Sequence, residues 1–426
     1  MTDAADELFE TLVEDPDAPG GLNDTAQTRE AGNFLRHVVS LSASKVADGL
    51  LNPKLVLSWL LMNLGAGSFL TGLLVPVRES GALLPQLFTT PYITSSRIRK
   101  WYWAGGSIVQ GVCAGGIALA GVTLEGPAAG IVIVLLLGLL ALARSVCSAS
   151  YKDILGKTVG KSRRGTATGF AASAASVGVI AFAVLLLLGL IDRFTLVIAA
   201  IVLASVLWIT GGLVFARMRE VESEPEDGEG IGLGQFSLLK DRPQLTRFIL
   251  VRSLLVGTAL APPYLVLLQP DGALGALGAL VLASAIASLL SSYVWGRLSD
   301  RSSRRVLLYA GIAGGGVLAA IAAMGWLGLA GVPLLVPVML FGLMISYHGV
   351  RQGRSTHLVD MAGPEDRASF TALSNTLVGI VLIVAGVAAA GLSALSVPLT
   401  LLVFAGMAAA GAWLALGLDE VQSDAG

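Results

Sequence analysis

Arg144 has the most chemistry to explain, because it lies inside an apolar run, a little over one turn before the basic stretch that ends it. An arginine at that depth costs about 3 kcal/mol unless it faces water or a partner. It is therefore a candidate for holding an anionic group, against the plainer reading that it snorkels to the interface. Tyr347 lies 203 residues further on, in a second apolar run, with His348 beside it. Histidine has a reference pKa of about 6.5 and can exchange a proton near neutral pH. Tyr347 and His348 are thus candidates for ligand contact or proton exchange, with a hydrogen-bonded packing role as the alternative for His348. Arg78 and Glu79 stand about 24 residues beyond Lys54, where a continuous helix places them as an ion pair near the outer interface. If the following helix is tilted or broken at Pro85, Glu79 is the carboxylate of the first half available for proton coupling.

Other polar groups inside apolar runs are weaker candidates. Arg252 stands five residues into its run and is expected to snorkel. Pro262 and Pro263 should interrupt the same helix and free backbone carbonyls. Asn63, Gln110 and Asn375 suit helix contacts and cargo equally.

Enzymatic chemistry finds little support. His37, His348 and His357 have no Cys or carboxylate at metal-ligand spacing, and GKTVGKS at 156–162 is too short for a phosphate loop and follows no strand. Cys113 and Cys147 both fall in apolar runs, as small buried hydrophobes do. No catalytic residue, metal site or cofactor is expected, and a formal net charge of -1 suggests no nucleic-acid partner.

The elements that hold these residues are membrane-spanning helices. Of the 426 residues, 54% are hydrophobic and 13% charged, and the mean hydropathy is +0.77. A soluble domain carries about 25% charged residues, so most of this surface faces lipid. Apolar runs of the length needed to span roughly 30 Å of hydrocarbon recur along the chain. They fall at about 55–77, 80–96, 101–123, 127–150, 166–190, 194–216, 248–269, 272–295, 306–327, 331–350, 369–392 and 395–417. The expected fold is an all-α membrane protein of about twelve transmembrane helices in two pseudo-symmetric six-helix bundles.

Charge in the loops sets the orientation, since Lys and Arg concentrate on the cytoplasmic side. Alternate loops carry Arg97, Arg99 and Lys100; then Lys152, Lys157, Lys161, Arg163 and Arg164; then Arg297, Arg301, Arg304 and Arg305; then Arg351, Arg354 and Arg367, while the intervening loops are nearly bare. Both termini are then cytoplasmic in a multi-pass protein of the cell (plasma or inner) membrane. The expected organisation is a cytoplasmic tail at 1–53, with an acidic flexible start and, from about residue 31, either an amphipathic surface helix or a partly ordered linker, followed by a six-helix bundle at 54–217. A cytoplasmic linker at 218–247, a second bundle at 248–418 and a short tail at 419–426 complete it.

The two halves look related. The loop after the fourth run, KTVGKSRRGTATG, and the loop after the tenth, DMAGPEDRASFTAL, align when Arg164 is placed on Arg367, a spacing of 203 that also pairs Gly160 with Gly363. The segment GRLSDRSSRRVL at 296–307 resembles the G-x-L-a-D-r-x-G-r-[RK] loop signature of the major facilitator superfamily. It matches at Gly296, Leu298, Asp300, Arg301, Arg304 and Arg305, with Ser303 where the family often has glycine. Such a loop tunes the balance between inward-open and outward-open states without touching cargo. In the first half the loop is eroded to SSRIRK at 95–100, and the fifth run lacks the G-P-x-x-G-G element of the family's proton-driven drug antiporters.

The resemblance implies a secondary active transporter that moves a small solute by alternating access, driven by an ion gradient, with the proton the expected ion, or by a solute gradient. The implied partners are that solute and membrane lipids, and the implied state is monomeric. The alternative is a non-pumping membrane protein of the same fold, such as a lipid flippase, a sensor or an assembly factor. A polar central cavity would favour the first, and a lateral apolar opening between bundles the flippase.

Overall fold

The computed structural model describes residues 7, 9–13, 21–224, 236–269, 276–362 and 367–422. The Gly-rich middle of the linker, Asp271 and Gly363 lie outside them. The main helices are α1 (Glu30–Leu51), α2 (Val56–Asn63), α3 (Ser68–Leu83), α4 (Gln86–Thr94), α5 (Lys100–Thr123), α6 (Gly126–Thr158), α7 (Arg164–Leu188) and α8 (Arg193–Ala216). The second half comprises α9 (Pro243–Leu254), α10 (Pro262–Leu267), α11 (Leu277–Arg301), α12 (Ser303–Trp326), α13 (Leu335–Met361), α14 (Arg367–Leu395) and α15 (Val397–Ala415). Nine helices among the described residues are long and apolar enough to cross a membrane.

The start of the first half differs from the expectation. Residues 55–77 do not form one helix: α2 is only the far end of a broken rod, and the chain reverses at Gly65 and Gly67, whose φ values of 72° and 86° suit glycine. The near end of that rod is α1, which packs along α7 and α8 rather than lying beside the bundle as a surface helix. Lys45 and Asp48 explain the discrepancy. Charged residues that face a water-filled interior lower the hydropathy of a helix without preventing it from crossing. Phe9 and Val13, from the stretch expected to be a flexible tail, are buried against Phe34, Leu155, Val159 and Ala167, with the Arg163 guanidinium 5.5 Å from the Phe9 ring centre.

The rod breaks at Asn52 to Leu55 because Pro53 has no N–H to give. The Asn52 side chain accepts the Lys54 N–H at 2.9 Å, its carbonyl accepts from Val56, and the Ser58 hydroxyl donates to the Pro53 carbonyl. Backbone groups freed by the break are thus satisfied inside the protein, as an apolar surrounding demands. Pro85 and Arg242–Pro243 mark comparable junctions, and α9 and α10 are separated around Pro262, where the sequence called for an interruption.

Helix pairs within each half cross on small residues. A Cβ on Gly111 would lie 2.7 Å from the Ser205 carbonyl, and one on Gly212 2.8 Å from the Ala104 carbonyl. Ser205 and Ser107 hydroxyls donate across the same α5–α8 seam to the Gly111 and Trp208 carbonyls, each at 2.7 Å. The α12–α15 seam is built alike, with Gly311 against Ala412 and Gly315 against the Ala405 carbonyl. Dispersion at close approach, with interhelical hydrogen bonds, holds such pairs where lipid offers no hydrophobic drive.

Cap chemistry also repeats between the halves. The Glu220 carboxylate accepts the N–H groups of Arg99 and Lys100 at 3.0 and 2.7 Å, capping α5, and Gln422 Oε1 accepts the Ser303 N–H at 2.8 Å on α12. Lys100 and Ser303 stand 203 residues apart, the same spacing that aligned the loops.

Gly212→Val should separate α5 from α8, because overpacking a tight seam costs about 1–3 kcal/mol. A lower melting temperature in detergent, with Gly316→Val unchanged because nothing lies within 4 Å of a Cβ there, is the expected pair of outcomes.

Candidate functional site

The halves meet along α3–α14 and α7–α11, and close upon each other at the end remote from the basic loops. There a Cβ on Gly72 would lie 2.8 Å from the Tyr264 hydroxyl and 3.1 Å from the Ala390 Cα, and one on Gly278 would lie 2.9 Å from the Leu187 nitrogen. At the opposite end α6 and α7 share no comparable packing with α13 and α14. A cleft therefore opens toward the basic loops.

Charged side chains from both halves converge in it. Asp48 on α1 receives Arg78 of α3 at 2.8 Å on one carboxylate oxygen and Arg144 of α6 at 2.7 Å on the other. Arg144 also donates to the Ser44 hydroxyl at 3.0 Å, one turn before Asp48. Arg144 therefore does not snorkel but is turned inward. Lys54, at the break in the first rod, lies 3.6 Å from a Glu79 oxygen and 3.6 Å from the centre of the Tyr347 ring. This cation–π contact runs from one half to the other, and the break supplies the room for it. Arg78 and Glu79 do not pair with each other at an interface; they point to different partners on α1 and at the break.

The second half contributes through α13. Tyr347, Arg351 and Arg354 follow the i, i+4, i+7 spacing of one helical face, and both arginines lie within electrostatic reach of Glu79. Arg351 is exposed within the helix and has no hydrogen-bond or ion-pair partner among the described residues, and neither does Arg354. Both were expected to be cytoplasmic loop charges. Placing the α13 end at Met361 instead of near 350 sets them inside the cleft. Arg252 is buried, does not snorkel, and donates to the Ser374 hydroxyl and, at 3.2 Å, to Asn375. Lys45, one turn before Asp48, donates to the Thr168 carbonyl at 3.3 Å and lies within electrostatic reach of Arg144, Arg351 and Asp48. His348 packs edge-on to Tyr347 with ring centres 5.2 Å apart, and its buried Nε2 has no hydrogen-bond partner among the described residues.

Seven cationic side chains, Lys45, Lys54, Arg78, Arg144, Arg252, Arg351 and Arg354, thus face two carboxylates, Asp48 and Glu79. The cleft carries a surplus of five positive charges among its described residues. Lys45, Asp48 and Lys54 escaped the sequence reading because they precede the first strongly apolar run. Their recoverable signal is the i, i+4 spacing of Ser44 and Asp48 on a helix that also holds Lys45.

The remaining sequence features are structural. His37 bonds to Thr158 at 2.8 Å and His357 to Ser303 at 2.9 Å, each ring packed on aromatics. Gln110 bonds within α5 and to the Cys147 sulfur. In the GKTVGKS stretch, Lys157 pairs with Asp153 and Glu220, and the Gly160 N–H donates to Glu30. Among the described residues no group of His, Cys, Asp or Glu could hold a metal. In the 296–307 loop Gly296 has open space around it, Asp300, Arg301 and Arg305 are exposed, and Arg304 reaches Glu420 at 3.7 Å. Asp300 has no partner among the described residues, and it stands at the open end of the cleft. Separately, an apolar cleft of about 330 Å³ faces outward between α3, α6 and α14, lined by Leu73, Val77, Leu142 and Ile383 among others.

A double-mutant cycle tests the central knot. Asp48→Asn strands two guanidinium groups, and combining it with Arg144→Gln should recover part of the lost stability, with a coupling of about 0.5–3 kcal/mol. Additive melting shifts would show that the two side chains act independently.

The sequence matches no protein-family model and no curated protein. Solved structures share its fold. A point mutant of the nucleoside transporter NupG superposes with a TM-score of 0.68 at 15% identity, covering 91% of this chain and 100% of that one. An auto-inhibited POT family peptide transporter gives 0.66 at 13% identity over 90% and 95% of the two chains, and the POT family transporter PepTSo 0.64 at 12% over 89% and 97%. This chain is a multi-pass, all-α membrane protein with the fold of the major facilitator superfamily transporters.

Proposed function

We propose that the protein is a secondary transporter for a small anionic solute, working by alternating access of the cleft between its halves. The surplus of positive charge facing the cleft carries this reading. Arginine and lysine are rare at membrane depth and persist there where they line a water-filled path or meet charge on a ligand. Arg351 and Arg354 share one face of α13; Arg351 lies within electrostatic reach of Lys45, and both lie within reach of Glu79, so an anion held there would also meet the first half. The neighbours' nucleoside and peptide cargoes support the general activity of moving small solutes, while the charge supports a different class of solute here.

The positive-inside pattern supports a cytoplasmic placement of the basic loops, of both termini and of the linker. Joining α1 with α2, α3 with α4 and α9 with α10 gives twelve crossings, six in each bundle, and the cleft as described is then open to the cytoplasm. The resemblance of the 296–307 loop to the major facilitator signature supports a gradient of ion or solute as the driving force. A lipid-handling reading rests on the outward apolar cleft, which carries none of the charged groups.

In proteoliposomes loaded with the same unlabelled anion, labelled citrate or inorganic phosphate should enter about ten-fold faster than into protein-free vesicles, and Arg351→Gln should abolish most of that gain. Uridine is expected to stay at the protein-free rate. Uptake of uridine that matches the anions and ignores Arg351→Gln would sink the anionic reading. Rapid exchange of labelled phospholipid with no solute flux would favour lipid handling.

A further inference from the structure

We infer that the protein is an obligatory anion exchanger: its cleft changes sides only when occupied by an anion of at least two negative charges, so each anion carried one way is matched by another carried back. The inference rests on the anionic-cargo reading above and extends it to substrate charge and mode of transport.

The electrostatics of the cleft depend on which cations lack a carboxylate. Among the described residues Arg78 and Arg144 share the single charge of Asp48, and Lys54 has Glu79. Arg252 is held only by a hydroxyl and an amide, both neutral. Lys45 donates to a carbonyl, and Arg351 and Arg354 have no partner. In the open cleft, water reaches Lys45, Arg351 and Arg354 and weakens the repulsion between like charges, while Arg252 is already buried. Alternating access requires α6 and α7 to approach α13 and α14, which expels that water. The guanidinium and ammonium groups then lose solvation and repel at low dielectric, and an unmatched buried charge is strongly unfavourable.

An anion supplies what closure removes. Arg351 and Arg354 project from one helical face, three residues apart, and can each take an oxygen of one carboxylate or phosphate. Lys45 and Arg144 approach from the first half, so a second negative group completes the bridge between bundles. A neutral solute offers hydrogen bonds but no charge, and the single negative group of a monoanion meets Arg351 and Arg354 or Lys45 and Arg144 but does not bridge the two pairs. Closure with the anion proceeds in either direction, whereas closure of the empty cleft is suppressed in both. A carrier that cannot return empty exchanges.

Two measurements on the full-length protein decide the matter. Spin labels at Lys161→Cys and Ser355→Cys, exposed positions in the two halves near the open end, report the gap by pulsed electron paramagnetic resonance; the native Cys113 and Cys147 are buried. In HEPES buffer of low ionic strength the labelled protein should show one long distance, and millimolar citrate should bring in a shorter one. Adding Arg351→Gln and Arg354→Gln together should raise the short-distance population without citrate by about ten-fold. In vesicles, labelled citrate should enter citrate-loaded proteoliposomes about ten-fold faster than empty ones.

A protein with its arginines intact that shows both distances without anion, a double variant that stays open, or equal uptake into loaded and empty vesicles overturns the exchange mechanism. If uptake is equal but still depends on Arg351, exchange falls while anion transport stands. A protein whose gap and flux both ignore citrate and phosphate, even when its double variant closes, loses the anionic-cargo reading itself and exchange with it.

Discussion

Asp48 holds two guanidinium groups, Arg78 and Arg144, that come from different helices of the first half. One carboxylate cannot neutralise two cations, so the knot fixes three helices against each other while leaving net positive charge in the space they enclose. Everything else about the cleft is compatible with that constraint. The first rod must carry Asp48 at membrane depth, the rod must break after it to aim Lys54 across at Tyr347, and α13 must present its own basic face on the other side. Had Asp48 lain on a cytoplasmic surface helix, Arg144 would have been left with snorkelling as its only escape.

The break at Pro53 links backbone and charge. A continuous helix would carry Lys54 along the same face sequence as Lys45 and Asp48; the interruption re-aims the chain, and its freed backbone groups are taken up by Asn52 and Ser58. Pro85 likewise stands between α3 and α4, and Pro262 opens α10. Discontinuous rods and small-residue seams divide the labour. Gly111, Gly212, Gly311 and Gly315 pack helices within a half, whereas the two halves touch chiefly at side seams and at the closed end.

Much of the fold was legible in the sequence, because apolar runs of spanning length and the alternation of basic and bare loops both follow from what lipid permits. The repeat spacing of 203 was legible as well, and it reappears in the capping of α5 and α12. The start of the first rod was not, since hydropathy averages over a helix and cannot tell a polar face turned to a cleft from one turned to cytoplasm. For the same reason Arg351 and Arg354 read as loop charges, although the α13 register with Tyr347 already placed all three on one face.

Sequence alone determined that the chain is an all-α membrane protein, that Arg144, Glu79, Tyr347 and His348 needed an explanation, and that no metal or catalytic constellation was to be expected. Those conclusions depend on local composition and spacing. Tertiary structure alone decided that Arg78 pairs with Asp48 and not with its neighbour Glu79, that Lys54 reaches the other half, and that seven cations share one cleft. Pairing between residues 30 to about 300 positions apart depends on how rods cross and rotate about their axes. Rotation of the helix about its axis turns the same arginine toward lipid, partner or cleft, and no property of its own neighbours in the chain fixes which.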